Sequence, residues 1–207
     1  MISTLDLVRC VASEFCLDFI QNPYSCYTEH GQHALYFTRL YNALPQEQRY
    51  TTWLEQKVCV LQKEYPTYDL LGKPRRQHWD IAVIKDPPES ARLTEALSYD
   101  YLRLAAVIEF GLNEAEAHLV DDIERLCHTD ANIEQGFLIH LYRISKPGRK
   151  FSNRDWSANS ARVTPVEQVA QRTIGKPVEI FYGIADSTKK YRSGVFRIAN
   201  GLIQTLL

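Results

Sequence analysis

The chain has 207 residues, of which 45% are hydrophobic and 24% are charged, and its formal net charge at pH 7 is −1. This length suits one domain or two small ones with a sizeable core, and the composition is ordinary for a soluble globular protein. A net charge so close to zero gives no overall attraction to nucleic acid or membranes, so any nucleic-acid site must be a local basic patch.

The five cysteines form no recognisable framework. Their number is odd and no CxxC pair occurs, so neither a disulfide scaffold nor a zinc ribbon is supported. We interpret them as reduced, buried thiols of an intracellular protein. No basic segment followed by an apolar run opens the chain, and no apolar run approaches the ~20 residues that span a bilayer. We therefore expect cytoplasmic residence and no membrane partner.

Two helices are predicted at the beginning of the chain. Apolar residues recur with a period near 3.6 over residues 3–21, and Asn22-Pro23 ends this helix. A second helix is predicted from about Thr28 to Leu44, where Pro45 stops it. Residues 46–56 fit either a helical turn or a loop.

Two short apolar stretches each carry one acidic residue. Asp80 lies in residues 78–85 and Glu109 lies in residues 104–113. Both stretches are β-branched and flanked by Pro, Asp or Ser, so they predict largely buried strands. A buried, unpaired carboxylate is costly, so each acid needs either a metal ion or a basic partner. The basic alternatives are Arg75, Arg76 or Arg103 for Asp80, and Arg125 or Lys85 for Glu109.

Further elements are predicted on both sides of these strands. A first strand is expected at residues 58–65, a helix at 114–127 with Asn113 as its N-cap, and a strand at 136–144. Residues 145–162 are polar and basic and resemble a loop. A helix near 165–172, a strand at 178–184 and a last strand or short helix from Gly194 complete the chain. We treat 1–145 as the core and 146–207 as an extension that packs on it or extends its sheet.

The order of a Glu-bearing strand, an Asp-bearing strand and an apolar strand with Glu resembles the PD-(D/E)xK, or restriction-endonuclease-like, nuclease superfamily. The resemblance covers roughly residues 29–145. It implies an α/β fold with a mixed central sheet flanked by helices, and here with C-terminal α/β additions. The residues that carry it are Glu64-Tyr65-Pro66-Thr67, Arg75-Arg76-Gln77-His78-Trp79-Asp80, Val107-Ile108-Glu109 and the helix Asp121-Asp122-Ile123-Glu124-Arg125-Leu126.

The resemblance also implies a reaction, namely metal-dependent hydrolysis of DNA phosphodiester bonds in defence, mobile-element biology or repair. Asp80 and Glu109 correspond to the two ligands of Mg²⁺ (or Mn²⁺), a hard ion that prefers carboxylate oxygens. A third acid often comes from the first helix of this fold. Glu29 is our candidate for it, and Glu64 on the first strand is the alternative.

The family's lysine, two positions beyond the glutamate, is replaced here by Gly111. Side chains alternate along a strand, so position 111 shares the face of Glu109. Asn113 lies on the same face and is a polar substitute. Otherwise the site is inactive, and the fold only binds nucleic acid, a protein partner or a second copy. A third reading, unrelated to the family, is a plain interaction domain with ion-paired acids. The candidate replacement cations are Lys63, Lys85 and Arg125.

Histidines supply further candidates for the site, although none lies in an HxH or HExxH pattern. His78 lies two residues before Asp80 and is a candidate supporting partner, the alternative being a hydrogen-bonded residue at a strand end. His118 shares a helical stripe with Asp122 and Arg125. We interpret His30 and His33 as solvated or capping residues, with a shared metal ion as the alternative.

Two basic segments are candidates for DNA binding. One lies directly before Asp80, and the other follows the strand predicted at 136–144 and includes Phe151 and Trp156. Such a segment can follow a phosphate backbone while its aromatic residues stack on bases, the alternative being a solvated loop. Motifs for acyl transfer, nucleotide hydrolysis and dinucleotide binding do not occur. The basic residues are Lys73, Arg75, Arg76, Arg143, Lys146, Arg149, Lys150 and Arg154.

Overall fold

A computed structural model describes residues 2–53, 55–67, 77–85, 103–144, 164–189 and 192–207. Four helices lie in these ranges, namely α1 (Thr4–Gln21), α2 (Glu29–Ala43), α3 (Glu116–Leu126) and α4 (Pro165–Val169). The strands are β1 (Tyr50–Trp53), β2 (Gln56–Cys59), β3 (Leu61–Thr67), β4 (Gln77–Ile84), β5 (Leu104–Leu112), β6 (Ile133–Ile144), β7 (Val178–Asp186), β8 (Gly194–Ala199) and β9 (Leu202–Thr205).

A mixed sheet of seven strands forms the centre of the protein. Its order is β3-β4-β5-β6-β7-β8-β9, and β1 and β2 form a separate hairpin. Strands β5, β6 and β7 are mutually parallel, whereas every other pairing in the sheet is antiparallel. The predicted α/β fold with a mixed sheet and flanking helices is thereby confirmed. The C-terminal strands β7 to β9 extend the same sheet.

Helices cover both faces of this sheet and bury two separate apolar cores. On one face, α1 and α2 pack against side chains such as Ile108, Phe110 and Phe181. On the other face, α3 and α4 pack against side chains such as Val107, Leu138 and Ile180. The alternation along β5, with Val107 on one side and Ile108 on the other, is that of a strand buried on both faces.

Helix ends decide where several polar residues lie. Thr28 caps α2 by accepting a hydrogen bond from the backbone N–H of Gly31, which places Glu29 in the first helical turn. The prediction that Asn113 caps α3 was wrong, because the N-cap is Ala115. Asn113 instead adopts a φ of 55°, which asparagine tolerates well, and its Oδ1 accepts a hydrogen bond from the backbone N–H of Arg143.

Strand β3 contains an irregularity that shapes the site described below. Glu64 has a φ of 53°, a left-handed conformation that is strained for a glutamate. In a regular strand Leu61 and Tyr65 would share a face, but they pack in opposite cores. The flanking pairs Lys63–Ile81 and Tyr65–Trp79 place Glu64 opposite Asp80.

A turn that the sequence analysis missed joins the last two strands. Asn200 and Gly201 have φ values of 50° and 74° and connect the paired residues Ala199 and Leu202. Two consecutive positive φ values fit a hairpin turn for which Asn-Gly is the preferred sequence. The Asn-Gly pair was therefore the available signal for two strands after Gly194.

All five cysteines are free thiols, but only Cys16 is fully buried and Cys10 is exposed. The prediction of uniformly buried thiols was therefore wrong. Within the described ranges, every helix is too short or too polar to cross a membrane.

Candidate metal centre

Asp80 and Glu109 lie where β4 and β5 part. The pairing of these strands reaches Ile81–Ile108 and stops, although β4 begins at Gln77 and β5 continues to Leu112. One residue beyond the last pair, Oδ2 of Asp80 accepts a hydrogen bond from the backbone N–H of Phe110 at 2.8 Å. The Asp80 side chain thus takes over a position that a backbone carbonyl would occupy in a continuous ladder.

The two carboxyl groups meet at this point. They lie close enough for the charge of Asp80 to act on the Glu109 carboxyl group. The Glu109 side chain is only 5% exposed. Burial raises the pKa of Glu109 well above its usual range, and the charges of Asp80 and Asp122 raise it further, while Arg125 opposes them.

Two more acids approach from the helices on either side of the sheet. Glu29 comes from the first turn of α2, and its Oε2 accepts a hydrogen bond from the backbone N–H of Leu112 at 3.1 Å. Burial raises the pKa of Glu29, as do the charges of Glu114 and Asp80. Asp122 comes from α3, and burial together with repulsion from Asp80 and Glu29 raises its pKa to about 7, against the pull of Arg125.

Among the residues that the structure describes, Arg125 is the arginine that faces this cluster. Its Nη2 lies 3.1 Å from Oε1 of Glu109, and its Nη1 lies 3.7 Å from Oδ1 of Asp122. The guanidinium stacks on the ring of Trp79 at 4.5 Å and donates a hydrogen bond to the backbone carbonyl of His78 at 2.7 Å. Arg125 therefore fastens α3 to β4 while balancing part of the negative charge.

Removing the charge of Asp122 should stabilise the metal-free protein. Because the folded-state pKa of about 7 lies above the ordinary aspartate value of 3.8, the folded protein holds a proton that the unfolded chain releases. The contribution of Asp122 to the free energy of unfolding therefore falls as the pH rises from about 4 to about 7 and stays low above that. We expect Asp122→Asn to raise the free energy of unfolding by about 2 kcal/mol at pH 8, or roughly 4–8 °C in thermal melts.

At pH 5 the gain from this substitution should be smaller, because the native Asp122 is then largely protonated. The matched control is Asp130→Asn, at a side chain that is 78% exposed, which should change neither melt. An equal shift at both pH values would contradict this account of the cluster.

Gly111, the position of the family's lysine, is covered by His140. The two residues are paired across β5 and β6. A Cβ atom on residue 111 would lie 2.3 Å from Nδ1 and 2.6 Å from Cε1 of His140. The imidazole is fully buried, and its Nε2 accepts a hydrogen bond from the backbone N–H of Glu114 at 3.2 Å. The space that a lysine stem would need is therefore filled by a buried ring.

The other candidate cations pair with acids other than Asp80 and Glu109. Lys85 directly follows β4 and pairs with Glu134. It lies five positions after Asp80, or about 17 Å along an extended strand. Arg103 also lies 3.9 Å from Glu134, so it does not pair with Asp80. Lys63 lies 3.5 Å from Glu64, on the neighbouring strand β3.

The predicted supporting residues contribute in other ways than expected. The His78 side chain is exposed, and its backbone carbonyl is what contacts Arg125. Asn113 bonds the backbone of Arg143, as described above. His118 is 69% exposed and lies 4.0 Å from Glu114 rather than over the carboxylates.

The basic segments proposed to bind DNA fall almost entirely outside the described residues. Arg143 is the exception, and the prediction that it could follow a phosphate backbone was wrong, because it is buried in β6. It is 5% exposed, and its guanidinium donates hydrogen bonds to the backbone carbonyls of Cys26 and Tyr27 among aromatic rings. Burial of the guanidinium among these rings lowers the pKa of Arg143. Outside the described residues lie Lys73, Arg75, Arg76, Lys146, Arg149, Lys150 and Arg154.

His33 is a residue of this region that the sequence analysis misjudged. It is 1% exposed rather than solvated, and its ring lies 5.7 Å from that of Phe110. Its Nδ1 lies 3.9 Å from Oδ1 of Asp80. The signal was available in the helical spacing, because His33 shares one stripe of α2 with the buried residues Tyr36 and Leu40.

Comparison of this chain with protein-family models, with curated proteins and with solved structures finds no match. The resemblance to the PD-(D/E)xK nucleases therefore rests on the residues quoted above and on the order of the elements.

Proposed function

We propose that the chain is a metal-dependent nuclease that hydrolyses DNA phosphodiester bonds at the cluster of Glu29, Asp80, Glu109 and Asp122. The observation that carries this proposal is the charge imbalance of the cluster. Within the described part of the chain, Arg125 is the one lysine or arginine within 4 Å of these four carboxyl groups. Four acids against one arginine leave a negative excess that a divalent cation would neutralise.

The donor set fits Mg²⁺ or Mn²⁺, because it consists of carboxylate oxygens that suit a hard cation. Asp80 and Glu109 would hold the ion, with Glu29 as the third acid. Glu64, the alternative third acid, is turned toward α2 and lies near His30 and His33. A bound ion would supply a water of lowered pKa and stabilise charge on the phosphate.

The order of the elements supports the same family. Apart from the separate hairpin of β1 and β2 after α2, the order is helix α2, strands β3, β4 and β5, helix α3 and strand β6. This is the helix, three strands, helix, strand order of the restriction-endonuclease-like core. Strands β3 to β5 form an antiparallel meander, and β6 returns parallel to β5 after α3. The acids lie at the end of the sheet where β4 begins and β5 ends.

DNA as the substrate is supported by where the basic segments join the sheet. Lys73, Arg75 and Arg76 precede β4, which begins at Gln77, close to Asp80. The second basic segment follows β6. Leu141 of β6 pairs with Leu112 at the end of β5, and β6 then continues to Ile144. Both segments therefore join the described strands at the same end of the sheet as the carboxylates, where Lys and Arg would neutralise phosphates.

In this proposal Arg125 replaces part of the motif lysine's role. It holds the Glu109 carboxylate in place and brings a permanent positive charge to the cluster. His140 is fully buried beside Gly111, so it fills space and does not reach a substrate.

Arg125 and His140 also favour a second candidate function. If the Arg125–Glu109 ion pair and the buried His140 make the site inactive, the chain is a nuclease-fold subunit that binds nucleic acid or a protein partner, including a second copy of itself. The two candidates differ in whether a divalent cation is needed for any chemistry.

Supercoiled plasmid incubated with the purified chain tests the proposal. We expect nicked and linear products with Mg²⁺ or Mn²⁺ and none when EDTA removes the metal. Mg²⁺ at about 100 times its dissociation constant should also stabilise the fold by about 2.7 kcal/mol, or roughly 5–10 °C. The same assay should be run in Mn²⁺ on the plasmid and on single-stranded circular DNA. If both DNAs stay intact and DNA binding is unchanged by EDTA, the result would instead support the binding subunit.

A further inference from the structure

A second group of ligating side chains lies beside Asp80, between α2 and β3. It consists of His30, His33 and Glu64, which we name the imidazole group. One ring nitrogen of each histidine and a carboxylate oxygen of Glu64 all lie within 4.8 Å of one another. Nδ1 of His30 and Nε2 of His33 are 2.8 Å apart. The three side chains therefore already converge on one point.

Local structure explains the convergence. His30 and His33 are three residues apart, so they lie on one face of α2 just after its capped N-terminus. Glu64 takes its left-handed conformation opposite Asp80, as described above. A strained backbone at a polar residue is retained where the surroundings require it, and here it accompanies a carboxylate that lies beside the two imidazoles.

His33 is oriented like a metal-binding histidine whose second ring nitrogen faces a carboxylate. Its Nε2 belongs to the imidazole group, while its opposite nitrogen, Nδ1, lies 3.9 Å from Oδ1 of Asp80. The residue is 1% exposed, and Nδ1 has no hydrogen-bond partner within the described residues. Metal-binding histidines commonly direct their second nitrogen at a carboxylate, which sets the ring orientation and strengthens the ligand.

We propose that His30, His33 and Glu64 bind a divalent transition-metal ion of the Mn²⁺ to Zn²⁺ series. Imidazole nitrogens favour these ions, whereas Mg²⁺ prefers a coordination shell made only of oxygen atoms. Two nitrogens and one carboxylate oxygen leave at least one coordination position for water or another small ligand. These three ligands are separate from the four acids of the carboxylate cluster, although Asp80 of that cluster lies beside His33. Metal binding here does not depend on the proposed nuclease activity.

Titration of the full chain with Co²⁺, followed by visible absorption and by paramagnetically shifted imidazole N–H signals, tests this site. Because His33 is buried, the two accessible ligands are varied, as His30→Gln and Glu64→Gln. We expect each to weaken Co²⁺ binding at least about tenfold, since even supporting residues of metal sites contribute that much. The matched control, His118→Gln on the exposed face of α3, should bind Co²⁺ like the unmodified chain.

A second comparison separates this site from the carboxylate cluster. Glu109→Gln and a large excess of Mg²⁺ should both leave the shifted imidazole signals in place, because neither removes a nitrogen ligand. The proposal is overturned if His30→Gln and Glu64→Gln bind Co²⁺ unchanged, or if Mg²⁺ displaces the ion and the imidazole signals vanish. Absence of plasmid cleavage by the unmodified chain, with these signals intact, would instead count against the nuclease proposal alone.

Discussion

Asp80→Asn is expected to reduce Mg²⁺-dependent plasmid cleavage by at least about a hundredfold while leaving the protein folded. The amide oxygen can still accept the hydrogen bond that the backbone N–H of Phe110 donates to Asp80, so the end of β5 keeps its partner. The substitution removes the negative charge, which is what the metal requires. Loss of one transition-state interaction with a metal or charged group commonly costs a factor of about 10²–10³.

Cleavage rates should be measured with the same plasmid at saturating Mg²⁺, and the thermal melt of each protein should be recorded beside them. Asp130→Asn makes the same chemical change at an exposed position and should cleave at the unmodified rate. Cleavage that survives Asp80→Asn in a folded protein would exclude Asp80 as a ligand and remove the basis of the proposed mechanism.

Substitution of Gly111 is expected to have the largest effect on stability. A Cβ atom there would lie 2.3 Å from a ring nitrogen of the fully buried His140, so the ring or the strand must move. Overpacking of this kind costs about 3 kcal/mol, which corresponds to roughly 6–12 °C for a chain of this size. Gly111→Ala should therefore melt well below the unmodified chain, and Gly111→Lys should fail to fold.

The control for Gly111 is Gly183→Ala on β7. A Cβ atom at residue 183 would have its closest contact at 3.4 Å, which is ordinary van der Waals separation. A rescue experiment isolates the cause, because His140→Ala should lower stability less in the Gly111→Ala background than alone. If Gly111→Ala melts like Gly183→Ala, then His140 does not exclude a side chain at this position.

The boundaries of the elements show where sequence patterns suffice. The helices at Thr4–Gln21 and Glu29–Ala43 and the strands around Asp80 and Glu109 follow from apolar periodicity, capping residues and Pro breaks within a few residues. The single strand expected at residues 58–65 is two strands, Gln56–Cys59 and Leu61–Thr67. Its interruption depends on pairing with different partners, which the local pattern does not contain.

The composition of the site was only partly readable from the sequence. Asp80 and Glu109 were identified because a carboxylate in an apolar strand is unusual whatever the fold. Arg125 was one of several candidate partners, and the choice between it and Lys85 depended on which end of β4 faces α3. His33 and Asp122 lie on helices, and their approach to Asp80 depends on how those helices pack.

The sequence by itself determined the main helices, the strands around Asp80 and Glu109 and the presence of an acidic residue in each of these two strands, because these depend on neighbours a few positions away. Only the tertiary structure decided that His140 covers Gly111, that Arg125 faces Glu109 and that His30, His33 and Glu64 converge. Each of these contacts joins residues from separate elements or depends on the register between strands, and no local periodicity specifies that register.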